Sequence, residues 1–488
     1  MSIPTCPSRL LEVPEVIGTD LAKPPAGRSK TFRSYDPQQP FLLPPSLDDW
    51  LPEDDEARFI SEIVEELLDL DVIYHSYQSS DGAPPYDPKM MLKILIYGYS
   101  TGVTSSREME KRCIKDVAFR FLTANQSPDY RSIARFRRRH LKALDNLFIQ
   151  VLKVCQEAGL IKLGRVALDG TKLHASASKH KAMSYDRLEK RIPEIEAEVA
   201  ALLAEAERVD REEDTTFGGD RRGDEIPQEL RRRESRLNKM RAAKEAIEAD
   251  AREKAAQKAS KKVQDSGSDE EEVEKVVQEA SENAKPEPRA QRNFTDPESR
   301  IMKTNEGFDY AFNAQLVVDE KSQVIIAAQV VQDANDINQL SPMVEKTSEN
   351  LGKAGIKGDP DTLLADAGYC SEENLQKAQE AGLDILIATG RLKHNERVSP
   401  SPRGPIPKNA TRRELMARRL RTRSAKADYA RRKAIVEPVF GQMKVKQKAG
   451  RLRLRGIEGA NGEWNLHAIC HNLRKLANNR VGMPVAII

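Results

Sequence analysis

The sequence predicts an α/β core, entered through an all-helical region and interrupted by an inserted helical hairpin. Three observations carry this. Short apolar runs that end in aspartate, Val166-Ala167-Leu168 before Asp169 and residues 362–365 before Asp366, alternate with helical periodicity, as strands and helices do in a layered α/β unit. Residues 55–158 carry only helical spacing. Between the first strand and the next, residues 188–202 step by four and three like a heptad stripe.

The elements follow in order. Residues 1–45 are rich in proline and read as an extended tail. Phe59, Ile60, Ile63, Val64, Leu67 and Leu68 open the helical region, and residues 90–97 form a buried helix after the turn-like DGAPPYDP. The turn NQSPD precedes YRSIARFRRRHLKAL, where Ile133, Phe136 and Leu141 line one side. Arg135, Arg137, Arg138 and Arg139 crowd that segment and could grip DNA phosphates from a recognition helix, or form a solvated face. Val166 to Leu168 read as a buried strand that meets a turn at Asp169-Gly170. Residues 314–318 and 324–331 read as a hairpin, 362–366 as a further strand, 372–381 as a helix and 384–388 as a last strand.

The insertion has its own stripe: Leu188, Ile192, Ile195, Val199 and Leu202, a break at TTFGGDRRGDEIP, then Leu230, Leu237, Met240 and Ile247. The break favours an antiparallel hairpin over a coiled-coil dimerisation arm. A charged, loosely ordered stretch is expected from about 257 to 290. The expected division is a tail at 1–45, a helical DNA-binding domain at 46–160, a catalytic domain from 161–182 and 291–478, and the insertion with its linker at 183–290.

Composition narrows the class. The chain has 488 residues, 39% hydrophobic and 32% charged, which suits several folded units with a charged surface. No basic stretch followed by an apolar run opens the chain, and no window approaches eighteen consecutive apolar residues, so a cytoplasmic location without a membrane partner is expected. The five cysteines are scattered and never spaced as CxxC, which fits free thiols. The net charge of +3 averages opposing blocks: residues 411–433 hold ten Lys and Arg against Glu414 and Asp428, while residues 269–272 are all acidic. A local surface for a polyanion fits that unevenness.

Three carboxylates then stand out. Asp169 and Asp366 each end a short apolar run near a glycine, and Glu437 lies among cations in RRKAIVEPVFGQMKVK, a segment of helical spacing. Two strand-end aspartates and a helical glutamate are oxygen donors suited to Mg²⁺, and a pair of such ions supports in-line displacement at phosphorus. Taken singly, each aspartate also reads as a turn former and Glu437 as an ion-pair partner. Asp333, Asn335 and Asp336 could approach the ions or serve the turn they sit in. His467, Cys470 and His471 have zinc-like spacing on a helix, but no second cluster completes four ligands, so helix packing explains them better.

The stretches VALDGTKLHASASKHK, NFTDPESRIM, YAFNAQLVVD, LLADAGYCSEENL and VEPVFGQMK resemble, in order, a bacterial insertion-sequence transposase of the DDE class. The region PYDPKMMLKILIYGYSTG through PDYRSIARFRRRH resembles the domain that precedes the catalytic core in such enzymes. The resemblance runs from about residue 35 to 478. It implies a ribonuclease-H-like core with Asp169, Asp366 and Glu437 as catalytic, metal-holding acids, and Mg²⁺ as cofactor in two ions, with Mn²⁺ as a substitute. It also implies cleavage and strand transfer at the inverted repeats of a mobile element. Its partners would be duplex DNA, both element ends and target, and a second copy of the chain in the active complex; DNA-bound protein would be nucleoid-associated. Related enzymes carry a tyrosine, an arginine, the glutamate and a lysine at fixed spacings. Here Lys444 lies seven residues after Glu437 on nearly the same face, Lys433 stands where arginine is usual, Arg432 is adjacent, and Tyr429 is one residue further away. The expected phosphate contacts are therefore Lys444, Lys433, Arg432, Arg135, Arg138 and Arg139. Pro438 requires that the helix either starts near Glu437 or kinks there. Two rivals share these features: an inactive domesticated DNA-binding protein, and a structure-specific nuclease without strand transfer.

Overall fold

The computed structural model describes residues 46–77, 84–178, 181–217, 228–264, 270–390, 404–407 and 409–479. The expected tail at 1–45 lies outside them, as does the expected interruption at 215–227 from residue 218 on; residues 215–217 are still helical.

The first stretch is helical throughout: α1 (Leu47–Trp50), α2 (Glu56–Glu62), α3 (Asp71–Tyr74), α4 (Pro88–Ser100), α5 (Ser106–Lys115), α6 (Val117–Leu122), α7 (Tyr130–Arg139) and α8 (Leu141–Glu157). Aspartates start four of them. Asp55, Asp87, Asp116 and Asp129 each accept a hydrogen bond from a first-turn backbone N–H, and Pro88 sits where its missing N–H costs nothing. Helix α4 is buried almost all round, from Met90 to Ile96 and at Tyr99, which makes it the centre of this region rather than a surface helix.

The sheet is built from β1 (Arg165–His174), β4 (Arg300–Thr304), β5 (Gly307–Asp319), β6 (Ile325–Val331), β7 (Thr362–Ala365) and β8 (Ile385–Ile387), while β2 (Ala182–Ser184) and β3 (Gln291–Asn293) form a separate ribbon. The order is β4-β5-β1-β7-β8, with β6 also pairing β5. Strand β5 runs antiparallel to β1, β4 and β6; β1, β7 and β8 run parallel.

Strand β1 does not stop at Asp169-Gly170, contrary to the turn expected there. It continues to His174, because β5 pairs with it along its whole length, from Val166↔Asp319 to His174↔Ala311. What ends at Asp169 is the parallel neighbour: the last β1–β7 pair is Leu168↔Ala365. Gly170 serves a close approach instead of a turn. A Cβ there would lie 2.5 Å from Gln315 Nε2 and 2.8 Å from Asp336 Oδ1.

The insertion is helical: α9 (Tyr185–Phe217), α10 (Gln228–Gln264) and α11 (Glu270–Glu282). Leu188, Ile192, Ile195 and Val199 pack against Leu237, Met240, Ala243 and Ile247, so the heptad stripe is satisfied within the chain. The stretch expected to be loosely ordered is largely helix: α10 runs on to Gln264 and α11 packs against it. Alternation of Glu with Val and Ala in residues 270–282 gives that segment an amphipathic face, which its charge density conceals. Ribbon β2–β3, with Tyr185 N donating to Ala290 O at 2.8 Å and Phe294 N to Lys181 O at 2.7 Å, closes the base of the insertion.

After β6 come α12 (Leu340–Lys353), α13 (Glu372–Glu380), α14 (Arg412–Arg419), α15 (Arg423–Val445) and α16 (Gly456–Asn478). Helix α16 holds the molecule together. It packs against α4, α8 and β6, and two of its asparagines cover the strand edge: Asn472 bonds both backbone groups of Ile325, and Asn461 both of Val330. One continuous apolar core therefore joins α2–α8, the sheet and α16.

Candidate active site

The β1–β7 register puts Asp169 and Asp366 one residue beyond a paired position on adjacent parallel strands, where β7 leaves the sheet. Asp366 accepts from Gly368 N at 2.8 Å and caps a short 3₁₀ turn, Ala367–Tyr369. Asp169 accepts from Gly170 N at 2.8 Å, and its other oxygen accepts from Arg432 Nη1 at 2.9 Å. Burial raises the Asp169 carboxyl above its ordinary range; Arg432 pulls it down and the like charge of Asp366 pushes it up again.

Helix α15 supplies the other wall. It runs unbroken from Arg423 through Pro438 to Val445, so it neither starts at Glu437 nor ends before it. The carbonyl that Pro438 cannot bond is that of Ala434, and Gln323 Nε2 donates to it at 2.9 Å. Gln323 sits in the β5–β6 turn with φ 59°, receives Lys475 Nζ on its amide oxygen at 2.8 Å, and contacts His471 Nε2 through its backbone carbonyl at 2.9 Å. One left-handed residue thus fixes α15, α16 and the sheet relative to one another.

Along α15 the side chains divide. Arg432 is buried against Asp169, and Tyr429, lifted above its ordinary value by burial, lies within electrostatic reach of Arg432 and Asp366. Lys433 is exposed, so the ambiguity between neighbouring cations resolves toward Arg432 as the one facing the aspartates. Lys444 Nζ donates to Thr171 Oγ1 at 2.5 Å, and burial lowers its affinity for a proton while Asp169 raises it. Glu437 lies between these two contacts on the helix and is exposed. Among the described residues, no three His, Cys, Asp or Glu are gathered closely enough to hold a metal ion.

The opposite face of β1 carries a group that the sequence left among turn formers. Gly170 and Lys172 pair with Gln315 and Asn313 of β5, and Asp336 closes over all four. Asp336 Oδ1 accepts from Asn313 Nδ2 at 2.7 Å and Gln315 Nε2 at 2.9 Å, and lies 3.5 Å from Lys172 Nζ. Asn313 is fully buried and its amide oxygen has no partner. The alternation of Asn313 and Gln315 in an otherwise apolar strand was the signal that sequence reading passed over.

Of the arginines expected on a recognition helix, Arg135, Arg138 and Arg139 are exposed on α7. Arg139 stacks on Tyr77 with 4.6 Å to the ring centroid, and its guanidinium also donates to Ser76 O. Arg137 is turned inward and bonds Tyr99 Oη at 2.7 Å and Thr104 O at 3.0 Å, so it is no phosphate contact. His467, Cys470 and His471 are buried packing residues of α16; Cys470 Sγ donates to Ile96 O at 3.3 Å. The NFTDPES stretch holds the start of α16, where Asp296 accepts from Gly456 N at 3.2 Å and Glu298 from Ile457 N at 2.6 Å.

Two family matches bear on these residues. Residues 45–139 match the transposase domain DUF772, and residues 285–473 match the transposase DDE domain, together more than half of the chain. The chain belongs to the DDE transposases. No curated protein and no solved structure matches it. The DDE match in this transposase begins at residue 285 and so includes β7, Asp366, α15 and Glu437, while β1 and Asp169 lie ahead of the long insertion. DDE transposases use divalent metal ions. Asp169 and Asp366 fit such an ion: both offer hard oxygen donors, and a cation between them would relieve the repulsion that helps keep the Asp169 carboxyl raised. Among the described residues no helix is long and apolar enough to cross a membrane.

Proposed function

We propose that this transposase cuts DNA at the inverted-repeat ends of its mobile element and joins the freed ends to target DNA, with Asp169, Asp366 and Glu437 as its catalytic acids. The observation that carries the reading is the adjacency of Asp169 and Asp366 where β7 leaves β1, with Arg432 and Lys444 reaching β1 from the helix that bears Glu437. The strand order β6-β5-β1-β7-β8, antiparallel only at β5, supports a ribonuclease-H-like core.

Bound divalent cations would activate the attacking oxygen and stabilise the leaving one. The chain's own residues do the rest. Arg432 fixes one oxygen of Asp169, which leaves the carboxylate a single orientation toward Asp366. Glu437, on a long and exposed side chain, completes the acid set by turning toward the aspartates once a cation and a strand are present. Lys444 positions a phosphate beside Thr171 and offsets charge developing at phosphorus. In the first reaction water adds across the P–O3′ bond: hydroxyl goes to phosphorus and a proton to the 3′-oxygen. In the second, the 3′-hydroxyl attacks a target phosphodiester and displaces its 3′-oxygen. Arg135, Arg138 and Arg139 contribute sequence-independent phosphate contacts, and the active complex contains two copies of the chain.

The test is product mapping with full-length protein, an end-carrying duplex, a target plasmid and Mg²⁺. Ends with free 3′-hydroxyls, and then ends joined to plasmid, are expected. Cut ends that never join would reduce the protein to a nuclease. Binding without any cutting would make it a DNA-binding protein.

A further inference from the structure

Strand β1 has one edge covered in two pieces. Strand β7 covers it as far as Leu168. From His174 the turn before α16 takes over: His174 N donates to Gly450 O at 3.0 Å, and Leu452 N to His174 O at 2.9 Å. Between them the edge from Asp169 to Leu173 has no strand partner among the described residues. At 3.3 Å per residue that window is about 13 Å long, longer than the roughly 3.4 Å of axis that one phosphate of a duplex strand occupies.

The window opens into a cavity of about 600 Å³ that begins at Gly170, next to Asp169. Its lining is cationic and comes from three separate parts of the chain: Lys172 on β1, Lys303 on β4, and Lys444, Lys448 and Arg451 around the end of α15. Lys303, Lys448 and Arg451 are exposed. Of the two lining acids, Asp336 is already engaged by Lys172, Asn313 and Gln315, and Glu306 stands out in solvent at the β4–β5 tip. Burial lowers the proton affinity of Lys172, and Asp336 opposes that by holding it as a cation. An added peptide strand would need pockets for alternate side chains along this edge; five cations offer it none.

We propose that this window is the track for the DNA backbone immediately beside the scissile bond, with Lys172, Lys303, Lys448 and Arg451 as phosphate-positioning residues. The proposal rests on the functional reading above and adds where the strand lies. A strand that leaves Asp169 through the window meets Lys444 and Lys172 first, one from each side of β1. It then passes Lys448 and Arg451 on the turn, and Lys303 on the hairpin.

Two measurements on full-length protein test it, both in chelator so that neither depends on cleavage. The first is affinity for an end-carrying duplex as a function of salt, for Lys448→Ala/Arg451→Ala beside the control Lys353→Ala/Lys377→Ala. The window variant should lose about two contacts, lowering the slope of log K against log salt by roughly 1.8, and the control should not. The second is disulfide capture of Arg451→Cys by duplexes carrying a thiol on one phosphate at a time, with the unsubstituted protein as background. Capture should be confined to phosphates next to the element terminus. A slope change equal to the control's, or capture spread along the duplex, overturns the window. Wild-type protein that cuts no duplex would overturn the functional reading alone, because slope and capture stand without it.

Discussion

Arg137 and Arg432 are both nearly excluded from solvent, at 6% and 8% exposure, and each serves an acid, Arg137 through Tyr99 and Arg432 directly, yet their surroundings differ throughout. Arg137 lies inside a closed cluster. Tyr99 Oη receives it and donates onward to Glu463 Oε1 at 2.9 Å, and Glu463 also accepts from Arg453 N and Leu454 N. That cluster ties α7 and α4 to α16, and every partner comes from the protein. Arg432 meets Asp169 beside an open strand edge, with a second carboxylate close by and a glycine next in sequence. An enclosed charge network whose acid is fully bonded by the protein specifies packing. An incompletely neutralised one at an opening is where a substrate or an ion finishes the set.

Substitution separates the two. Arg137→Ala strands Glu463 in the core and should cost about 3–5 kcal/mol of stability, while Arg432→Ala, whose acid is reachable by water or a cation, should cost under about 2 kcal/mol. Urea denaturation of the two variants measures the difference. Divalent cation should raise the midpoint of Arg432→Ala more than that of Arg137→Ala, whose aspartate pair keeps its arginine. Equal losses, or equal rescue of both by the cation, would erase the distinction.

The closed cluster should also govern acid sensitivity. Burial holds His467, which packs edge-on against Tyr99 at 4.8 Å, at about 3, and His471 at about 4. Both values lie below the unfolded one, so these groups contribute stability that is fully present above about pH 6.5 and is lost as pH falls toward their folded values. At pH 5 each should have cost about 2 kcal/mol relative to pH 8. Denaturation midpoints across that range should depend about half as steeply on pH in His471→Asn. An unchanged slope would mean that His471 is not buried in its neutral form.

Much of this was legible in the sequence, and the exceptions have physical causes. Apolar runs ending in Asp169 and Asp366 marked two strands correctly, because a strand buried on both faces reads as a continuous apolar run. The end of β1 was misjudged because an aspartate before a glycine is also turn chemistry; only its partner strand shows that β1 continues and that Gly170 is there for clearance. Arg137 and Arg432 both sit in runs of arginines, and composition cannot tell which member of such a run turns inward. On α7 the third of the apolar-facing positions is Arg137 itself, sharing a side with Ile133 and Phe136. On α15 the helix continues through Pro438 because Gln323, more than a hundred residues earlier, takes over a carbonyl. The seat of Asp336 over β1 and the window formed by β7 and the Gly450–Leu452 turn depend on contacts between segments far apart in sequence.

The central claim is that Asp169, Asp366 and Glu437 act together on phosphorus, and Glu437 is the exposed member, carried on a helix and not at a strand end. Single-turnover cleavage of pre-bound end-carrying DNA, with saturating Mg²⁺, tests it through the near-isosteric variants Asp169→Asn, Asp366→Asn and Glu437→Gln. Each should lose at least about a thousandfold in rate, as removal of an essential charge-stabilising group does. Affinity for the same DNA in chelator and the thermal midpoint should stay near those of the unsubstituted protein. A Glu437→Gln protein that cleaves within about tenfold of that rate, while both aspartate variants are dead, would contradict the three-acid account and leave the two strand-end aspartates to act without it.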